Sequence, residues 1–152
     1  RSVGQIPLYY NKKAPQSHDY VEMSASPLYP FGYGLSYTSF DYSDLHLSAL
    51  MPRSFEISFK VRNTGKYDGE EVAQLYLRDE YASVVQPLKQ LKHFARFYLK
   101  RGEEREVKFI LSEEDFSLVD RNLKRIVEPG TFQIMIGAAS NDIRLQTKVA
   151  IK

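Results

Sequence analysis

The sequence predicts an all-β protein, an antiparallel sandwich of about seven strands with an immunoglobulin-like layout and an extended N-terminal connector. Two observations carry this. From Ser36 onward apolar and polar residues alternate in short runs separated by turn residues, which is the period of a half-buried strand. No stretch shows the longer period of a helix, so helices do not organise the chain.

The chain divides at about residue 35. Residues 1–35 hold four of the seven prolines, Pro7, Pro15, Pro27 and Pro30, which interrupt regular structure. They are also rich in tyrosine. Only Val3 to Tyr10 has strand-like content, and it has no hairpin partner nearby. It is expected to pair in a sheet outside this sequence, with the rest of 1–35 an extended connector. The density of aromatics from Tyr29 to Gly34 is too high for a free linker and predicts burial against something.

The first strand of the sandwich is expected over Phe40 to Leu50. In the second, Phe55, Ile57, Phe59 and Val61 alternate with Glu56, Ser58, Lys60 and Arg62. Asn63-Thr64-Gly65 and Asp68-Gly69 then turn the chain. The third strand, Val72 to Leu77, sets Ala73, Leu75 and Leu77 against Val72, Gln74 and Tyr76. A long loop, Glu80 to Lys89, follows, and the simplest reading pins it with an Arg78–Asp79 pair. Leu91, Phe94, Phe97 and Leu99 are unevenly spaced, which predicts a bulge or a switch between sheets in this stretch. Val107, Phe109 and Leu111 mark the fifth. Ser112 with Glu113, Glu114 and Asp115 opens a short helical turn. Phe132, Ile134 and Ile136 mark the next strand, and Leu145, Thr147, Val149 and Ile151 the last.

The chain has 152 residues, 43% of them hydrophobic and 26% charged, with net charge +2 and no cysteine. This composition suits one globular domain with a single core. Lacking cysteine, it has no disulfide, thiolate metal site or cysteine nucleophile. No apolar run approaches the ~20 residues of a membrane helix. Arg1 stands where a native start would have Met, so the sequence reads as a piece of a longer protein, and no glycosylation acceptor occurs. Basic clusters at Lys89–Arg101 and Arg121–Arg125 are broken by apolar residues, and the first runs into Glu103 and Glu104. They read as solvated sheet faces, not a nucleic-acid surface.

No catalytic set emerges. His18, His46 and His93 lack partners at metal-ligand spacing and read as structural. No serine sits in a nucleophile elbow, and Gly32-Tyr33-Gly34 has no helix behind it to make a phosphate loop. The acid pairs Glu70-Glu71, Asp79-Glu80 and Glu113-Glu114 fall at turns and loop starts. Those are solvated positions that would not tune a carboxyl for acid–base work. No metal, cofactor or catalytic residue is assigned.

The segment Pro27-Leu28-Tyr29-Pro30-Phe31-Gly32-Tyr33-Gly34-Leu35-Ser36-Tyr37-Thr38-Ser39-Phe40 closely resembles the junction leading into the C-terminal fibronectin type III-like domain of glycoside hydrolase family 3 enzymes, the β-glucosidases and β-xylosidases. Val61 to Gly65 with Asp68 to Tyr76 resembles that domain's central hairpin. Gln86-Pro87-Leu88-Lys89-Gln90-Leu91-Lys92-His93-Phe94 resembles the stretch after its long loop. Glu128 to Ala138 and Asn141 to Leu145 resemble its last two strands. Arg1 to Pro7 resembles the closing strand of the preceding α/β sandwich domain. The resemblance implies residues 1–35 as that domain's end plus connector, and 36–152 as the sandwich. It also implies an upstream nucleophilic Asp and an upstream acid/base Glu, so neither role falls on a residue of this chain. Phe132, where the family often has Tyr, and Ala139-Ser140, where it often has Ser-Ser, are local departures. A periplasmic or secreted parent is implied.

The leading expectation is a structural module packed on the catalytic domains of its parent, with oligosaccharide substrate reaching at most the domain border. The expected interdomain contacts are Tyr29, Phe31, Tyr33, Leu35, Tyr37, Asp79, Tyr81 and Lys89. A carbohydrate-binding module is the second expectation and needs exposed, coplanar rings. A protein-interaction or oligomerisation module is the third and needs an exposed apolar patch.

Overall fold

The structure, a computed structural model, describes residues 26–152. The strand expected over Val3 to Tyr10, His18 and the first part of the expected connector lie outside the described residues.

Seven long strands form two antiparallel sheets. One sheet holds β1 (Phe40–Met51), β2 (Ser54–Asn63) and β5 (Glu104–Leu111), in the order β1-β2-β5. The other holds β3 (Gly69–Asp79), β4 (Gln90–Leu99), β8 (Gly130–Ala139) and β9 (Asp142–Ile151), in the order β4-β3-β8-β9. Two short strands, β6 (Leu118–Val119) and β7 (Arg125–Ile126), make a small hairpin between β5 and β8.

Alternation places the core. Ile57, Phe59 and Val61 from β2 and Val107, Phe109 and Leu111 from β5 point inward from the three-stranded sheet. They meet Ala73, Leu75 and Leu77 from β3, Leu99 from β4, Ile134 and Ile136 from β8, and Val149 and Ile151 from β9. Edge-to-face rings at Phe55–Phe116 and Phe116–Phe132 tie one end of the core together.

The expected helical turn is a 3-10 segment of four residues, Glu113–Phe116. The Asp115 carboxylate accepts from the Ser112 amide at 2.8 Å and from the Ser112 hydroxyl at 3.1 Å. The first is the bond by which the acid of a capping box reaches back to the cap residue's amide, and the Asp115 amide in turn bonds the Ser112 carbonyl at 3.1 Å. The expected bulge in β4 is present. Leu75 pairs with His93 and Tyr76 with Leu91, so Lys92 is the extra residue. A further irregularity in β1, between Ser43 and His46, has Asp44 at φ 54°.

Two expectations about side chains are corrected. Arg78 and Asp79 do not pair, because consecutive residues of a strand point to opposite faces. Instead, Asp79 accepts from the Tyr81 amide at 3.0 Å, Glu80 bonds Lys148 at 2.6 Å, and the Glu80 amide bonds Thr131 carbonyl. These bonds pin the long loop at its base. Phe94, grouped with Leu91, Phe97 and Leu99 in the apolar pattern of the fourth strand, is exposed, and so is Tyr98. They lie opposite Gln74 and Glu70, on the outward face of the sheet.

Candidate functional site: the outer face of the four-stranded sheet

The outward-facing residues of β1, β2 and β5 are almost all polar: Asp41, Ser43, His46 and Ser48 beside Arg62, Lys60, Ser58 and Glu56, then Glu104, Glu106 and Lys108. Lys60 bridges Asp44 at 3.0 Å and Glu104 at 3.6 Å, and Lys108 bridges Glu56 at 3.6 Å. This face is built for water.

The opposite outer face is not. On β3 the run Ala73–Leu77 is buried without a break, although only alternate residues reach the core. Tyr76 is 1% exposed and Gln74 is 4% exposed. β8 is likewise buried from Ile134 through Gly137. Their outward neighbours are Leu91, Phe94 and Met135.

The connector lies along this face. Gln74 donates through Nε2 to the carbonyl of Gly32 at 3.1 Å and to that of Ala138, while its Oε1 accepts from the Tyr76 hydroxyl. The Ser140 amide donates to the Phe31 carbonyl at 2.9 Å. A turn closes when the Tyr33 amide bonds the Pro30 carbonyl at 3.1 Å. Gly32 sits at φ 77°, and a Cβ there would lie 2.1 Å from Gln74 Oε1. Only glycine permits both this close approach and this backbone. Burial pushes the Tyr76 hydroxyl up to about 12, so it remains a donor at all physiological pH values.

A second anchor holds the connector's end. Asn63 is fully buried and uses both ends of its amide. Its Oδ1 accepts from the Thr38 hydroxyl at 2.7 Å and the Gly65 amide at 3.1 Å. Its Nδ2 donates to the carbonyls of Tyr67 at 2.8 Å and Leu99 at 3.1 Å. The amides of Thr64 and Gly65 both bond the Ser39 carbonyl.

Glu71, read from sequence as solvated, is 8% exposed. Tyr42 donates its hydroxyl to the Glu71 carboxyl at 3.0 Å, and Arg144 lies 4.9 Å over the Tyr42 ring. Burial raises the Glu71 carboxyl, against the lowering influence of Tyr42 and Arg144. Burial also raises the Tyr42 hydroxyl, with Glu71 adding to it. The group joins β1, β3 and β9 at the edge where the two sheets meet. His93 contacts Asp115 at 3.4 Å and stacks on Phe109 with centroids 5.9 Å apart. His46 is exposed on β1. No group of three His, Cys, Asp or Glu suited to a metal occurs among the described residues.

The expected contact residues fall in two groups. Tyr29, Phe31, Tyr33, Leu35 and Tyr37 lie along the fastened connector, with Leu35 at 88% and Tyr37 at 96% exposure. The main chain of the connector is thus docked while its rings remain uncovered. Tyr29 and Tyr33 stand 5.3 Å apart but tilted by 43°, unlike the coplanar rings of a sugar platform. Asp79, Tyr81 and Lys89 belong to the long loop. Lys89 returns to the connector, because its ammonium bonds the Ser140 carbonyl beside Phe31. Phe31 and Lys89 share a groove of about 740 Å³ with Tyr76, Leu88, Leu91 and Asn141. Tyr81 is exposed at the start of the loop, where Asp79 holds its amide. Phe94, Gln74 and Tyr76 were missed as site residues. The signal for Gln74 and Tyr76 is their polar character on a strand with no solvated face.

Two packed antiparallel sheets with this strand order make the sandwich a fibronectin type III-like domain, and residues 71–140 match the sequence family of that description. The chain is 42% identical over 97% of its length to a β-xylosidase from Formosa agariphila, covering 21% of that protein. It is 42% identical over 95% of its length to a periplasmic β-glucosidase from Salmonella typhimurium, again covering 21%. A solved β-glucosidase from Erythrobacter marinus superposes with TM-score 0.89 at 39% identity, over 98% of this chain and 20% of that one. This chain therefore corresponds to the fibronectin type III-like domain of glycoside hydrolase family 3 enzymes, as its connector and hairpin motifs indicated. It spans about a fifth of the length of these relatives, and the part it matches is non-catalytic.

Proposed function

We propose that the chain is the C-terminal accessory domain of a retaining β-glucosidase or β-xylosidase. In this reading, residues 1–35 are the end of the preceding domain plus connector, and 36–152 are the sandwich. The domain packs the outer face of its four-stranded sheet against the catalytic domains and stabilises their arrangement. The parent hydrolyses O-glycosidic bonds with residues upstream of Arg1.

The observation that supports this is the contrast of faces: one sheet is finished for water, the other carries a fastened connector with uncovered Tyr33, Leu35, Tyr37 and Phe94. Hydrogen exchange on the longer protein tests it. The amides of 30–38 and of β3 and β4 should exchange more slowly there than in the chain alone, with β1 and β2 unchanged. Deleting residues 36–152 should lower both the melting temperature and the activity of the parent. No change in either would remove the reading.

A further inference from the structure

The groove beside the connector has a chemical peculiarity. Its walls are apolar at Phe31, Leu88 and Leu91, with amide and hydroxyl groups from Gln86, Asn141 and Tyr76. No Asp or Glu is among its described lining residues, of which the single charged one is Lys89. That ammonium is half-buried and donates to the Ser140 carbonyl. It makes no ion pair with a carboxylate among the described residues, and the charged group acting on it is another cation, Arg78. Lys60, Lys108 and Lys148 each have a carboxylate within 4 Å.

A partly desolvated charge without a counter-charge is costly within one domain, and a partner that brings the opposite charge relieves that cost. The place of Lys89 strengthens the point. Its carbonyl partner is Ser140, whose amide holds Phe31, so the ammonium stands where the connector is fastened. Proteins of the relatives' length have several times more chain than this one, and in the function proposed above the connector is where the two parts meet.

We propose that Lys89 is the interface cation of this domain, forming an ion pair with an Asp or Glu on a loop of the catalytic portion that seats in this groove. The proposal rests on the packing function above and names the partner chemistry at one point of that surface. The apolar walls take the flanking side chains of the loop, and Gln86 and Asn141 take its backbone groups.

Zero-length coupling with a water-soluble carbodiimide on the longer protein, followed by peptide mapping, tests it. The reagent forms an amide directly between an amine and a carboxylate in ion-pair contact. The expected product joins Lys89 to an acidic residue outside 1–152, and Lys89→Arg should abolish that product while leaving the melting temperature of the chain alone unchanged. Lys89 left uncoupled, or coupled only within 1–152, overturns the proposal. If the connector and β3 are still protected from exchange in that protein, the packing function survives that failure. If they are not, both fall. Titration of the chain with cellobiose or xylobiose should leave the amides of Gln86–Leu91 unmoved. Saturable shifts there would instead make the groove a sugar subsite and overturn the assignment.

Discussion

The two outer faces of this sandwich use the same strand geometry to opposite ends. Across β2 and β5 most inward hydrophobes are followed by an outward charge or hydroxyl, Ile110 being the exception, and Lys60 and Lys108 pair with carboxylates across strands. Across β3 and β8 the outward positions hold tyrosine, glutamine, methionine and glycine, and they are buried. The first face is complete in this chain. The second is complete only where the connector covers it. A sheet whose central strand is buried on both sides needs a third layer. Here that layer is a peptide without regular structure, held by side-chain bonds and short of covering Phe94.

The comparison breaks most sharply at Tyr76. Tyr76→Ala empties a fully buried site on the outward side of β3 and should cost about 3–5 kcal/mol in urea unfolding. A loss below about 1 kcal/mol would mean that the face is a loose cover and not a second core. Gln74→Leu comes next. It takes the donor from Gly32 and Ala138 and the acceptor from Tyr76, and should cost about 1–3 kcal/mol. Exchange at 31–34 should quicken with it, and unchanged exchange would show that the connector is held by its rings instead.

Glu71→Gln sharpens the comparison through pH. A carboxyl raised by burial binds its proton more tightly in the folded state. Its contribution is therefore most favourable below the ordinary carboxylate range and is lost as pH rises through the folded value. The amide keeps an acceptor for Tyr42 without the charge. The stability of the variant relative to wild type should therefore grow between about pH 4 and about pH 7. The opposite slope from Asp68, lowered by its bonds to the Arg101 amide and Tyr98, is common to both proteins and cancels. A pH-independent difference would show that Glu71 is solvated after all. The smallest effect belongs to the water-facing sheet, where Lys108→Ala should change stability by no more than about 0.5 kcal/mol.

Much of this fold was legible in the sequence because its strands are amphipathic. Phe55 to Val61 and Val107 to Leu111 announce β2 and β5 through alternation alone, and the spacing of Leu91, Phe94 and Phe97 announces the bulge at Lys92. The connector stood out by resemblance and by aromatic density, but the burial that density predicts is not met in this chain, where Tyr29, Leu35 and Tyr37 are exposed. Gln74 and Glu71 were not. A buried polar side chain looks like a solvated one until its partners are known. Gln74 finds Gly32 and Ala138 at separations of 42 and 64 residues, and Glu71 finds Tyr42 at 29. Local pattern carries no information about such pairs. The Arg78–Asp79 pair failed for a simpler reason, since adjacency along a strand is separation in space.

The double fastening of the connector has a mechanical meaning. A chain tied to a body at one point can swivel about it; tied at two, it becomes a bracket. Gln74 grips Gly32 and Asn63 grips Thr38, so the short stretch between is held at both ends. The main chain at Phe31 and Gly32 is therefore held in place on the sandwich. Two amide side chains, with the main-chain bonds beside them, turn a peptide without regular structure into a fixed part of the sandwich.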